Sequence, residues 1–395
     1  MTPAARRDKA EAEGGQASPA PQVEATRGIA GPARPGPRRA SAFFKWSGPA
    51  RTGVDIGGFK IDLPIRYYRT DCFVAIFDAD YDATRAMLPS GRLNPVRLAR
   101  GRAAVALVAF NYLQTGVGPY GEIGIVALCT LDKQAPPLAP LMLESRWPGF
   151  GAFVAHLPVT TRIARQAGRT IWGYPKFVAD MAFDFMPEYQ SVDMREGGKD
   201  IFSLTVPRRG PKVTDKRPLV TFTVREGELI RTVMPWRAVY QMGVGRRMGG
   251  SLVLGDHPVA EELRALALSS SASFTKSYLA HAGILPEGEV LGSADMAYEG
   301  FAGSARVSGL HTVRYDNGVE MVVTSAEQEI APDSGPAKAV ARVAAKAVAR
   351  VAAKGAGKVA GKVPAKVAGK VPAKASAKGT GEGKGKAAGK GAARA

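Results

Sequence analysis

Short apolar runs broken by glycine and proline set the limits on what this chain can fold into. Residues 72–77, 103–112, 122–131, 152–161 and 219–224 are strand-length stretches rich in Val, Phe and Leu. Residues 258–268 read as a helix, with Pro258 near the start, Glu261 and Glu262 in the first turns, and Leu and Ala beyond. Shorter helices are expected over 82–87 and 161–167. Many strands and few helices predict an α+β fold: a mainly antiparallel closed β-barrel or sheet with a few outer helices. This pattern runs from about Phe43 to Pro332, so residues 43–332 are expected to form one domain.

The two ends read differently. Residues 1–42 hold no aromatic residue and are dominated by Ala, Gly, Pro and charged residues. They bury too little surface to offset chain entropy and are expected to be disordered. From Lys338 a basic residue recurs at every fourth position as far as Lys378, and the octet AKAVARVA occurs at 337–344 and again at 345–352. Pro364 and Pro372 oppose helix further on. Residues 333–395 are therefore expected to be a disordered Lys/Ala-rich basic tail, similar in composition to linker-histone tails.

Charge follows the same division. The formal net charge is +19, of which +13 lies in residues 331–395 and +4 in residues 1–50, leaving +2 for residues 51–330. The core is thus nearly neutral, and the positive charge lies in the ends. A tail of this charge, over residues 338–394, suits salt-sensitive and sequence-independent contact with nucleic acid. It equally suits a solubilising extension with no partner. Cys72 and Cys129 both lie in apolar runs, which argues against a disulfide scaffold and for a reducing compartment. No CxxC or HxxxH spacing is present, so no metal site is expected. No run of eighteen apolar residues occurs. The expectation is a cytoplasmic protein that does not enter the membrane.

The segment 168–177 carries the chemistry. Lys176 sits among Trp172, Tyr174, Pro175, Phe177 and Val178. Pro175 fixes its own φ and pushes Tyr174 into an extended conformation, while Gly173 permits a sharp turn just before it. A free lysine amine is neutral in only about one part in a thousand near pH 7, so making it a nucleophile takes about 4 kcal/mol from its surroundings. An apolar pocket supplies that by penalising the ammonium form. A strand-end lysine reaching to water is the ordinary alternative.

This segment resembles the acetoacetate decarboxylase family. Gly168, Arg169, Tyr174, Pro175 and Lys176 fall in register with the family's active-site stretch, whose first lysine forms the Schiff base. The run Thr115-Gly116-Val117-Gly118-Pro119-Tyr120-Gly121-Glu122 is similar to the loop that ends in a pocket acid, and Asp80-Tyr81-Asp82-Ala83 with Arg85 and Leu88-Pro89 is a third match. Together these span roughly residues 65–300. The resemblance implies an oligomeric barrel of the acetoacetate decarboxylase-like type and a cofactor-independent lyase acting on a small keto acid. It also implies Lys176 and Glu122 as catalytic residues, with Arg69, Trp172, Tyr174 and Phe177 around the substrate.

Three departures stand against the family pattern. Phe177 replaces a second lysine, Leu107 occupies the place of a further pocket Glu, and the substrate-binding Arg aligns near Thr70, one position from Arg69. The rival readings are a related Schiff-base enzyme performing aldol condensation and dehydration, a non-catalytic ligand-binding barrel, and a nucleic-acid-associated protein working through its tail. Gly243-Val244-Gly245 with Gly249 is a poor dinucleotide loop, since it follows a helix-like run and no acidic residue lies about 20 positions on. His156, His257, His281 and His311 are scattered and read as structural.

Overall fold

Alternating apolar side chains need two surfaces to bury them, and the chain supplies both with sheet. A computed structural model describes residues 43–44, 51–142, 146–246, 249–304, 308–318 and 320–322. The expected disorder of residues 1–42 and 333–395, and the nucleic-acid contact assigned to 338–394, lie outside the described residues.

A hairpin of β1 (Arg51–Ile56) and β2 (Phe59–Leu63) forms a sheet of its own. It is followed by β3 (Ile65–Ala79), α1 (Tyr81–Met87), β4 (Leu93–Pro95), β5 (Ala103–Thr115), β6 (Tyr120–Leu131), α2 (Ala139–Met142) and β7 (Phe150–His156). After α3 (Arg162–Trp172) come β8 (Asp180–Phe185), β9 (Tyr189–Glu196), β10 (Lys199–Pro207), β11 (Lys212–Asp215), β12 (Leu219–Arg225), β13 (Glu228–Met234) and β14 (Trp236–Val244). The rest are β15 (Ser251–Leu254), α4 (Pro258–Ala265), β16 (Phe274–Leu285), β17 (Glu289–Ser293), β18 (His311–Tyr315) and β19 (Glu320–Val322).

Eleven strands form one sheet in the order β11-β14-β16-β3-β5-β6-β7-β12-β13-β17, with β4 added on β6, and six form a second in the order β15-β10-β9-β8-β18-β19. Pairing is antiparallel except at β12–β7 and β18–β8. The second sheet covers one face of the first. Phe73, Ala75 and Phe77 of β3 and Val105, Leu107 and Ala109 of β5 pack there with Met181, Phe183, Val192 and Leu204. The intervening residues Val74, Ile76, Ala106 and Phe110 belong to the core on the opposite face, with Trp172, Tyr174 and Trp236.

The expected closure does not occur, because no ladder joins β11 to β17. The last hairpin enters in a different sense: β12 meets β7 in parallel through only two residue pairs, Thr221 with Ala152 and Phe222 with Phe153. β17, separated from β16 by three residues, then pairs with β13, and β11 remains a free edge of the sheet. Strand expectations hold over 72–77, 103–112, 122–131 and 219–224, whereas the run 152–161 splits into the end of β7 and an irregular extended segment. Residues 236–244, expected to be helix-like, form β14 between two antiparallel neighbours. Gly243 and Val244 are therefore the last residues of an antiparallel strand, and the run lacks the strand–turn–helix context of a dinucleotide loop.

Candidate active site

A glycine that ends a helix starts the site. Helix α3 is capped by Thr161, whose hydroxyl accepts the N–H of Ala164 at 3.4 Å, and it buries Ala164, Ala167, Ile171 and Trp172. At Gly173 the backbone turns left-handed, with φ +66°, and a Cβ there would collide with the carbonyl of Val224. Only glycine meets both conditions. The N–H groups of Gly173 and Tyr174 donate to the carbonyls of Arg169 and Gly168, each at 3.1 Å. The chain then returns, extended, beside residues 157–159. Leu157 N–H donates to Pro175 O at 3.1 Å, Val159 N–H to Phe177 O at 2.9 Å, and Ala179 N–H to Val159 O at 2.9 Å.

Residues 157–160 are in turn held by the start of β6. Ile123 N–H donates to Pro158 O and Thr160 N–H to Gly121 O, each at 3.0 Å. This bridging segment brings residue 176 to residue 122 across 54 positions of sequence. Arg169 fixes the register from the other side, donating from Nη1 to the carbonyl of Lys176 at 2.8 Å. Burial pulls the Arg169 guanidinium down from its usual range, helped by its neighbour Arg165.

Lys176 Nζ donates to Glu122 Oε2 at 2.6 Å, with the two side chains only 5% and 8% exposed. Tyr112 donates its hydroxyl to the other carboxylate oxygen at 3.1 Å. Nζ lies 5.7 Å from the ring centroids of both Tyr120 and Tyr174. The hydroxyls of Tyr67 and Tyr120 lie 3.2 Å apart, and Tyr174 shares a 2.8 Å bond with Thr221. Burial, then the nearby Glu122 charge, pushes the phenols of Tyr67, Tyr112 and Tyr120 well above the usual range, and burial raises Tyr174 to about 12. All four therefore keep their protons and remain donors.

Gly168 makes room for the lysine stem. A Cβ on it would stand 2.5 Å from Lys176 Cδ and 2.6 Å from Cε. A helix-interior glycine costs roughly 1 kcal/mol relative to Ala, and here it lets the side chain lie against the backbone of α3. The lysine and Glu122 open onto a cavity of about 200 Å³ lined by residues of β3, β5, β6, β7, β11, β12, β14 and β16. Its charged lining residues are Glu122, Lys176, Lys276 and the ion pair of Asp215 with Arg217, whose guanidinium donates to the carboxylate at 2.7 and 2.8 Å. Lys276 lies over the ring of Tyr240 at 4.8 Å. Among the described residues no cluster of His, Cys, Asp and Glu has the arrangement of a metal site.

Lys176, Glu122 and Tyr174 thus meet on one wall, while the other three residues expected around a substrate do not. Trp172 lies behind that wall, donating its indole N–H to Pro286 O at 2.6 Å with its ring 6.1 Å from Tyr174. Phe177 faces the opposite way from Lys176, as successive residues of an extended segment must. It packs between the sheets, 5.0 Å from the Phe301 ring and 6.5 Å from His257. Arg69 is exposed at a double irregularity in the β3–β5 register and contributes nothing to the cavity.

Leu107 also faces the inter-sheet core, its neighbours Ala106 and Val108 lining the cavity instead. The residues that sequence reasoning missed are Tyr67, Tyr112, Arg217 and Lys276. Period-two alternation back from Glu122 across the turn gives a signal for Tyr112, whereas the others carry none. None of the four histidines lines the cavity. His156 and His257 pair with Glu262 and Glu196 at 2.6 and 3.2 Å, and burial depresses His281 and His311 to about 4.

The sequence model of the acetoacetate decarboxylase (ADC) family matches residues 59–291. No curated protein matches the chain in sequence. Among solved structures, acetoacetate decarboxylase from Legionella pneumophila is 18% identical with a TM-score of 0.45, covering 67% of this chain and 99% of that one. The enduracididine biosynthesis enzyme MppR complexed with pyruvate is 16% identical with a TM-score of 0.43, covering 58% and 91%. An acetoacetate decarboxylase-like enzyme from Sphingomonas wittichii RW1 is 15% identical with a TM-score of 0.41, covering 61% and 95%.

Proposed function

Because this chain belongs to the acetoacetate decarboxylase family, we propose that Lys176 forms a Schiff base with a β-keto acid and decarboxylates it, needing no metal or organic cofactor. One observation carries the reading: an amine and a carboxylate 2.6 Å apart, almost wholly buried, on the wall of an apolar cavity. Two charges in such a place are expensive to hold. Moving one proton from Nζ to Oε2 removes both charges at once and leaves a neutral amine beside a neutral acid.

The steps then balance. The amine adds to the ketone, and the proton held by Glu122 passes to the carbinolamine hydroxyl, which leaves as water. The resulting iminium draws the electrons of the breaking carbon–carboxylate bond, so carbon dioxide departs and an enamine remains. A proton taken from solvent is delivered to the enamine carbon, and water hydrolyses the iminium to the ketone and the lysine ammonium. Glu122 is the proton carrier, oriented by the Tyr112 hydroxyl. Tyr174 walls the site, and Arg169 holds the lysine backbone in place.

Borohydride reduction with a panel of keto acids, read by peptide mass, tests this. The expected adduct is on the peptide carrying Lys176, with release of carbon dioxide in the unreduced reaction. Lys176→Arg is expected to lose both to background, since a guanidinium is effectively never deprotonated. An adduct on another lysine, or none with any keto acid, would leave a ligand-binding protein. An adduct with condensation and no carbon dioxide would make the enzyme an aldolase.

A further inference from the structure

The cavity is much longer than a four-carbon acid requires. Its wall follows alternate residues of β6 from Glu122 through Gly124 and Val126 to Leu128, and β5 runs alongside from Tyr112 to Ala106. Six residues of strand span on the order of 20 Å. Along this wall, beyond Glu122, the lining residues contributed by β5, β6 and β7 carry no charge. Three of them, Ala106, Gly124 and Ala152, are small. A Cβ at Gly124 would meet nothing closer than 3.6 Å, so the packing leaves space that a larger side chain would fill. Ala106 lines the cavity next to Val126 in the ladder. An apolar cavity of about 150 Å³ accommodates benzene, and this one measures about 200 Å³.

We infer that the substrate is a β-keto acid with an apolar tail of about five to seven carbons, lying along β5 and β6 with its ketone at Lys176. This rests on the Schiff-base reading and names the substrate class for the same site. Burying each tail methylene strengthens binding of the reacting complex about fourfold. The tail also displaces water from the neighbourhood of the Lys176–Glu122 pair. Acetoacetate, whose tail is a single methyl, leaves most of the channel empty.

The test is a series of straight-chain 3-oxo acids from four to fourteen carbons, with 3-oxodecanedioic acid as a charged control. Borohydride trapping and carbon dioxide release are measured in parallel. The expected result is a kcat/KM that climbs three- to fourfold per methylene, peaks near eight to ten carbons and then falls. Gly124→Leu should shorten the optimum, costing the ten-carbon acid at least tenfold more than the four-carbon one. A flat profile, or an optimum at four carbons with Lys176 still trapped, would overturn the tail inference and leave the Schiff-base reading standing. A best rate with the dicarboxylate would overturn it too, pointing to Lys276 and Arg217 as readers of a distal charge. Absence of any adduct across the series would remove the Schiff-base reading itself.

Discussion

The two faces of the large sheet are built from the same strands and do opposite things. On β3 and β5, Phe73, Phe77, Leu107 and Ala109 pack against the second sheet with none of their surface exposed. One residue away, Val74, Ile76, Ala106 and Val108 wall a cavity that holds an ion pair. Lys176 and Phe177 repeat the division within two consecutive residues. The filled face supplies contacts at interior density, each large side chain contributing on the order of 2 kcal/mol when buried. The hollow face gives up such contacts, and it is there that two charges sit out of water. A domain carries a costly site when the burial that stabilises it lies elsewhere, and here elsewhere is the reverse of the same strands.

The sharpest way to break this comparison is Phe177→Lys. If residue 177 belongs to the filled face, the substitution sets an ammonium among Phe301, His257 and His156, and should cost about 3–5 kcal/mol. Chemical denaturation would show it as a lower midpoint. A protein of undiminished stability, with trapping at Lys176 shifted to lower pH, would instead put residue 177 within reach of the amine as a second charge. Gly168→Ala probes the hollow face. The added Cβ must push Lys176 aside, and a displacement of about 1 Å costs on the order of 100-fold in rate with a stability change of about 1–3 kcal/mol. Single-turnover trapping separates the two effects, and an unchanged rate would mean that the lysine stem does not lie against α3 when it reacts. The smallest effect belongs to Arg69→Ala. Exposed and outside the cavity, it should change stability by less than about 0.5 kcal/mol and kcat/KM by less than about twofold. A tenfold rise in KM would return it to the substrate.

How much of this was legible in the sequence varies by residue. Lys176 stands out because its run of aromatic residues with Gly173 and Pro175 reads as a turn that presents a side chain, whereas Glu122 is reached only through the family resemblance. Once Pro175 marks the segment as extended, the opposite facing of Phe177 follows from a period of two, and apolar neighbours in sequence are then not neighbours in space. Trp172 lies off the cavity lining for a related reason: α3 continues through Gly168 to residue 172, so its side chain follows the helix and not the strand. Arg69 was obscured by the register shifts on both sides of it in β3. No local pattern forecasts those, since they arise where one strand must fit two neighbours.

Local sequence is enough to settle that this domain is built mainly of strands and that the basic charge lies at the ends of the chain. These are consequences of local periodicity, composition and turn chemistry, which act over a few residues at a time. The tertiary structure alone decided that the large sheet stays open, that residues 157–160 bridge Lys176 to Glu122, and that Tyr67, Tyr112 and Tyr120 enclose the pair. Those depend on which distant strands share a ladder and which face of each meets the other sheet. Such choices are made by the packing of the whole domain, where many weak contacts are satisfied together and no single segment carries the answer.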